Sequence, residues 1–394
     1  MRHGHGPGGM RARAGAVRPH VSLLMSPLTL RGTTFRNRVW LAPMCQYSAA
    51  ADGVPNDWHL VHLGARALGG FGLVLAEATA VVPEGRITPN DVGIWDDAQV
   101  AAWRRITDVV RARGAVSGVQ LAHAGRKAST YRGFGEGSGT VPVEDGGWET
   151  VGPSALPFPG YAAPQAMSAE QVAAVPGQFA AATRRALDAG FDLVEVHAAH
   201  GYLLHQFLSP LSNHRTDAWG GSPEARARLL LETVDAVRAE LPEDRPLLVR
   251  VSATDWTDGG LTVEDTAEVA TLLRAHGVDL VDVSTGGNVP ASIPVGPGYQ
   301  VPAARTVRET AGVATAAVGL ITTAEQAEQV LAEGAADAVL IGRPALFDPH
   351  WPLRAAHALD DKTPVLEHAG DPVASVVAGQ PTGWPVQYGR GSWG

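Results

Sequence analysis

From Arg38 to Arg343 one alternation governs the chain: a short β-branched or apolar run, then a longer segment of helical periodicity, repeated about eight times. The expected strands are Val39–Pro43, Gly72–Ala76, Val116–Leu121, Leu193–His197, Leu247–Val251, Leu280–Ser284, Ala314–Gly319 and Ala338–Gly342. Between them, Val100, Trp103, Ile106 and Val110 follow a three-and-four spacing, as do Thr266, Val269, Leu272 and Leu273. Gly114 and Gly277 stand where those helices would stop. Strands that are apolar throughout must be covered on both faces, and strands separated by helices pair in parallel through right-handed crossovers. Eight such units close a single (β/α)8 TIM barrel. The rival is an open doubly wound sheet, which would ordinarily carry a glycine-rich fingerprint after its first strand; Met44-Cys45-Gln46-Tyr47 is no such sequence.

Three segments fall outside the repeat. Residues 1–25, with Arg2, Arg11, Arg13 and Arg18 among glycines, read as a flexible arm, too poor in apolar residues for a signal peptide. Residues 130–167, rich in Gly and Pro, read as an extended loop or small hairpin subdomain after the third strand. The barrel domain is expected over 26–362, leaving a C-terminal tail at 363–394.

Composition excludes several classes of function. A hydrophobic content of 45% in 394 residues supplies one large core, and a net charge of −9 leaves no positive field for a nucleic-acid backbone. Cys45 is the only cysteine, so intrachain disulfides, four-cysteine zinc sites and iron–sulfur clusters are out, and a cytoplasmic setting is expected. No apolar run reaches the roughly 18–20 residues that span a bilayer.

In a closed barrel the reactive groups sit at the carboxyl ends of the strands. His197 and His200, with Tyr202 close behind, form the densest polar cluster there. Two imidazoles at that spacing can point donors at one oxygen while a phenol delivers a proton. A structural histidine pair fits the same residues, as does a metal site completed by His205 or His214. Gly319 and Gly342-Arg343, ending strands seven and eight, suit a phosphate held by backbone N–H groups and a cation, or a plain tight turn with an arginine in a salt bridge. Arg250, between two valines in a strand interior, needs either a buried ion-pair partner or an electron-rich ligand. Cys45 could be a nucleophile, a redox tuner or a small buried hydrophobe, and Tyr47 a ligand donor or a packing residue.

Together these residues resemble the old yellow enzyme family of FMN-dependent ene-reductases, in its thermophilic-like or xenobiotic-reductase-like subgroup. The resemblance rests on APMCQYSA (42–49), NDWHLVHLG (56–64), AEATAVVPEGRITP (76–89), GVQLAHAGRKAS (118–129), GGWETVGPSALPF (146–158), HAAHGYLLHQFLSPLSNHRTDAWGGS (197–222), IGRPAL (341–346) and PVQYGRG (385–391).

The resemblance implies an FMN bound without a covalent link, reduced by NADPH or NADH, with no metal. Ala42, Pro43, Met44 and Cys45 would line the isoalloxazine, Ala78 and Gln120 its polar edge, and Arg250 would lie near N1 and the C2 carbonyl. Gly319, Gly342 and Arg343 would hold the phosphate. His197 and His200 would bind the carbonyl oxygen of an activated alkene, Tyr202 would donate the proton, and Tyr47 would touch the substrate. Arg390, in the tail, would reach the site of a neighbouring subunit in a homodimer or homotetramer. Ser392, between Gly391 and Trp393, departs from the family tail. A metal-dependent barrel hydrolase built on His197 and His200, and a noncatalytic flavin-binding protein, are the competing functions.

Overall fold

The computed structural model describes residues 22–361; most of the N-terminal arm, and the tail with Arg390, lie outside them. Eight parallel strands form a closed barrel in chain order: β1 (Val39–Leu41), β2 (Leu73–Ala80), β3 (Val116–Ala122), β4 (Leu193–Ala198), β5 (Leu247–Ser252), β6 (Leu280–Ser284), β7 (Ala314–Ala317) and β8 (Ala338–Ile341). β8 pairs in parallel with β1, so closure is complete and the doubly wound alternative is excluded. A helix follows each strand: α1 (Asp57–Leu68), α2 (Asp97–Ala112), α3 (Ala169–Asp188), α4 (Pro223–Glu240), α5 (Val263–Ala275), α6 (Val301–Ala311), α7 (Ala324–Ala332) and α8 (Trp351–Ala358).

Local chemistry sets the helix ends. Asp96 accepts from the Ala98 amide and shares a capping box with Gln99 at the start of α2, and Thr262 does the same with Asp265 at α5. Gly114 and Gly277 follow the two helices in the left-handed region, at φ +74° and +86°.

Alternation along the strands divides two cores. Val194 and Val196, Val249 and Val251, and Val281 and Val283 pack outward with the helices. Leu193, Leu248, Leu280, Trp40, Leu73, Leu75 and Leu340 fill the barrel's lower interior. A short antiparallel hairpin, Leu28–Leu30 with Thr33–Phe35, closes that lower end. Its Phe35 ring centroid lies 4.6 Å from that of Trp40.

One expectation is corrected and one is resolved. Residues 22–25, assigned by sequence to the arm, belong to the body: Leu24 and Met25 are buried, and the Leu23 and Leu24 amides donate to the Glu328 carboxylate. After β3 the chain makes an antiparallel bridge, Thr130 with Thr140, but the later pairing of Val151–Gly152 with Gln165–Ala166 is parallel. A parallel pair cannot be joined by a tight turn, so of the two readings, extended loop and hairpin, this part of the excursion follows the loop.

Candidate active site

One step above the hydrocarbon layer the same alternation turns polar. Leu193 is followed on its face by Glu195 and His197, Leu248 by Arg250 and Ser252, and Leu280 by Asp282 and Ser284. The ladders place His197 beside Arg250 and Arg250 beside Asp282. Arg250 Nε lies 2.9 Å from Asp282 Oδ2, so the buried-ion-pair reading is correct at that nitrogen. Gln120, from β3, donates to Glu195 Oε1 at 2.8 Å. Burial pushes both carboxyls above their ordinary range; Asp282 raises Glu195 further while Arg250 opposes the rise in each.

The histidines and the tyrosine lie just above this layer. The His197 ring centroid is 5.2 Å from that of His200 and 5.0 Å from that of Tyr202, both edge-on. His197 Nδ1 accepts from the Ala199 amide at 3.3 Å, which leaves its proton on Nε2. Burial, then Arg250 and the neighbouring cations, hold both imidazoles well below their usual pKa, so at neutral pH they are uncharged donors. Burial, with Cys45 and Asp91 nearby, raises the Tyr202 phenol, so it keeps its proton until one is demanded.

The turn that aims these groups is strained and braced. His200 sits at φ +58°, uncommon for a residue with a Cβ and costing about 1–3 kcal/mol. Gly201 follows at φ +74°, where a Cβ would stand 2.3 Å from the Gly287 carbonyl. Only glycine allows the loops after β4 and β6 to approach so closely. Lys127 locks them, its Nζ donating to His200 O at 2.8 Å and Gly287 O at 2.9 Å. Burial lowers this ammonium to about 8. Behind the turn, the Gly201 amide donates to His205 Nδ1, and His205 Nε2 faces Asp255 at 3.1 Å.

Across the mouth, Cys45, Tyr47 and Tyr202 pack on an apolar cluster that includes Ala78 and Ala122. A β-bulge explains the placement of Ala78: the β2–β3 register shifts between Ala76 and Ala78, leaving Glu77 as the extra residue. Glu77 accepts from the Gln46 amide at 2.7 Å and so anchors the loop carrying Cys45 and Tyr47. Burial, then the Asp91 and Glu77 carboxyls, raise the Cys45 thiol, which argues against a nucleophile. The Tyr47 phenol is raised by Cys45 beside it and by burial.

At the expected phosphate end, Gly319 has φ +118°, a conformation barred to most side chains. Gly342 stands opposite Met44 and Ala42; a Cβ there would lie 3.8 and 3.9 Å from their side chains. Ala42 donates its amide to Ile341 O, which ties the Ala42-Pro43-Met44 segment to the end of β8. Arg343 is exposed, and among the described residues no hydrogen bond or ion pair engages its guanidinium. The buried Arg250 likewise offers nitrogens beyond Nε that no described residue uses. A buried cation beside the polar layer, a glycine-lined rim and an exposed cation suit FMN's pyrimidine edge and phosphate.

The metal reading fares differently. His205 is turned to Asp255 and His214 is exposed, so neither joins His197 and His200. Among the described residues no group of three or more His, Cys, Asp or Glu is placed to hold a metal. Sequence reasoning singled out Arg250 as a charge inside an apolar strand but passed over Glu195 and Asp282, which carry the same signal on adjacent strands. Lys127 and Ser284, the latter 2.7 Å from His200 Nε2, were also missed; their contacts join segments far apart in sequence.

Known proteins share this fold. Residues 23–362 match the model of the NADH:flavin oxidoreductase / NADH oxidase family. The chain is 47% identical over 343 residues to an NADPH dehydrogenase of Geobacillus thermodenitrificans, covering 86% of this chain and 96% of that protein. Morphinone reductase in complex with tetrahydroNAD has a TM-score of 0.72 at 29% identity, with 89% of this chain and 93% of that one covered. The old yellow enzyme homologue from Zymomonas mobilis has a TM-score of 0.71 at 28% identity, with 85% and 92% covered.

Proposed function

Because the chain belongs to the NADH:flavin oxidoreductase / NADH oxidase family, we propose that it reduces the C=C bond of α,β-unsaturated carbonyl compounds, and activated nitro compounds likewise, with Tyr202 as proton donor. It is an oxidoreductase of the NADPH dehydrogenase, old yellow enzyme type that uses FMN and NAD(P)H. The observation that carries the finer reading is the convergence on the His197 ring of a second uncharged imidazole and a protonated phenol, with centroids 5.2 Å and 5.0 Å away.

FMN, when bound, would supply the hydride chemistry, with NAD(P)H as the reductant. Ala42, Pro43, Met44, Cys45, Ala78, Gln120 and Arg250 would hold its ring, and Gly319, Gly342 and Arg343 its phosphate. His197 and His200 grip the carbonyl oxygen of the alkene, so that negative charge gathering there meets fixed donors that need no reorganisation. Gripping that oxygen also fixes which carbon lies toward the ring of the cofactor. Tyr202 places its proton on the α carbon, and Tyr47, packed in the same cluster, touches the substrate. In this reading the protein is a cytoplasmic homodimer or homotetramer, with Arg390 of one copy reaching its neighbour's site.

The test uses the FMN-loaded enzyme without air. NADPH should bleach the flavin absorbance, and cyclohexenone should restore it while yielding the saturated ketone. Tyr202→Phe should slow only the second stage, by about 10²-fold or more. A second stage that runs at the wild-type rate in this variant would remove the tyrosine from the mechanism. A flavin that NADPH cannot bleach would remove the enzyme reading itself.

A further inference from the structure

Two imidazoles can donate to one oxygen only if each carries its proton on the nitrogen that faces it. His197 is settled by the Ala199 amide on its Nδ1. For His200 the contact is at Nε2, which lies 2.7 Å from Ser284 Oγ, and no other hydrogen bond from the described residues reaches either ring nitrogen. Ser284 Oγ also lies 3.3 Å from Gln300 Oε1, an acceptor. A hydroxyl has one proton to give. If it goes to Gln300, His200 must donate from Nε2, and Nδ1 is left a bare lone pair that would repel a carbonyl oxygen.

The surroundings decide between these arrangements. Gln300 is fixed by donation from its Nε2 to Val318 O at 3.1 Å, so its Oε1 is the atom turned toward Ser284. That oxygen already accepts from Thr285 Oγ1 at 2.8 Å. The 2.7 Å contact to His200 has the length of a strong O–H donation, whereas 3.3 Å to Gln300 is wider than such a bond. We propose that Ser284 is a positioning residue: its hydroxyl donates to His200 Nε2 and so keeps the ring proton on Nδ1, the nitrogen left for the substrate oxygen. Thr285 assists by satisfying Gln300. The inference rests on the proposed carbonyl-binding role of His200.

The experiment is 15N NMR of the FMN-loaded enzyme labelled at histidine, with His200 assigned from the signals lost in His200→Gln. The wild type should show His200 protonated on Nδ1. Ser284→Ala should move the proton toward Nε2 and weaken phenol binding by about tenfold, the scale of one lost donor, and Ser284→Thr should restore both. Thr285→Val, which leaves Ser284 in place, should shift the tautomer in the same direction by less. Wild-type His200 protonated on Nε2 would overturn the proposal, as would Ser284→Ala with an unchanged tautomer and unchanged phenol affinity. Failure of the underlying reading would look different: His200→Ala would then leave phenol affinity and enone reduction unchanged, whatever the tautomer of His200 in the wild type.

Discussion

The lower and upper halves of the barrel interior come from the same eight strands and the same alternation, yet they are chemically opposite. Below, Leu193, Leu248 and Leu280 meet Trp40 and Leu73 in a layer of hydrocarbon capped by Phe35. Above, the next inward positions on those strands are Glu195, Arg250 and Asp282, and then His197, Ser252 and Ser284. Each buried leucine below contributes about 1.5–3 kcal/mol through removal from water. The charges above gain no such burial free energy, and a matched ion pair in a dry interior roughly offsets its own desolvation. The lower layer therefore accounts for stability and the upper layer for chemistry, a separation that a barrel permits because its closed ladder satisfies the backbone independently of what fills it.

That contrast can be broken at the charges first. Glu195→Gln combined with Asp282→Asn leaves Arg250 without a carboxylate and should cost about 3–5 kcal/mol, measured by denaturant unfolding. Either change alone should cost much less than half, because the remaining carboxyl can ionise against Arg250; equal and additive losses would refute the sharing. Leu248→Ala in the lower layer should cost about 2–5 kcal/mol while leaving the turnover of folded enzyme unchanged. A fall in turnover would show that the layers are coupled. His197→Ala should do the reverse, lowering alkene reduction by about 10²-fold with the melting temperature and bound FMN retained.

A pH-dependent test concerns Glu77, which burial holds up from 4.5 to about 8. The folded protein keeps this proton over a pH range in which the unfolded chain has lost it, so stability from this group is complete below about 4.5 and is lost as pH rises toward 8. Glu77→Gln should remove that slope. The gap between the urea midpoints of variant and wild type should then widen in the variant's favour across this range, and a constant gap would contradict it.

What the sequence made legible follows the same division. Periodicity located all eight strands, because apolar blocks between amphipathic segments are local signals. Arg250 was conspicuous for being charged among valines. Glu195 and Asp282 carried that signal too, but their meaning needs the closed ladder that sets three strands side by side. The bulge at Glu77 was invisible because a single unpaired residue leaves composition and spacing unchanged. The hairpin at Leu28–Phe35 preceded the repeat and was read past, although Arg31-Gly32 between two threonine-bearing runs is a turn signal. Lys127 and Ser284 owe their roles to hydrogen bonds of 2.7–2.9 Å between segments far apart in sequence, which no pattern along one segment records.

The lysine that joins the fourth and sixth loops has a consequence for altering the enzyme. Since Lys127, on a third loop, holds the carbonyls of His200 and Gly287 at once, the two crossings it joins cannot be exchanged one at a time with those of a relative. A graft would have to carry all three segments together, so protein engineers should treat them as one cassette, with Gly201 and Gly287 as a seam that has no room for a Cβ.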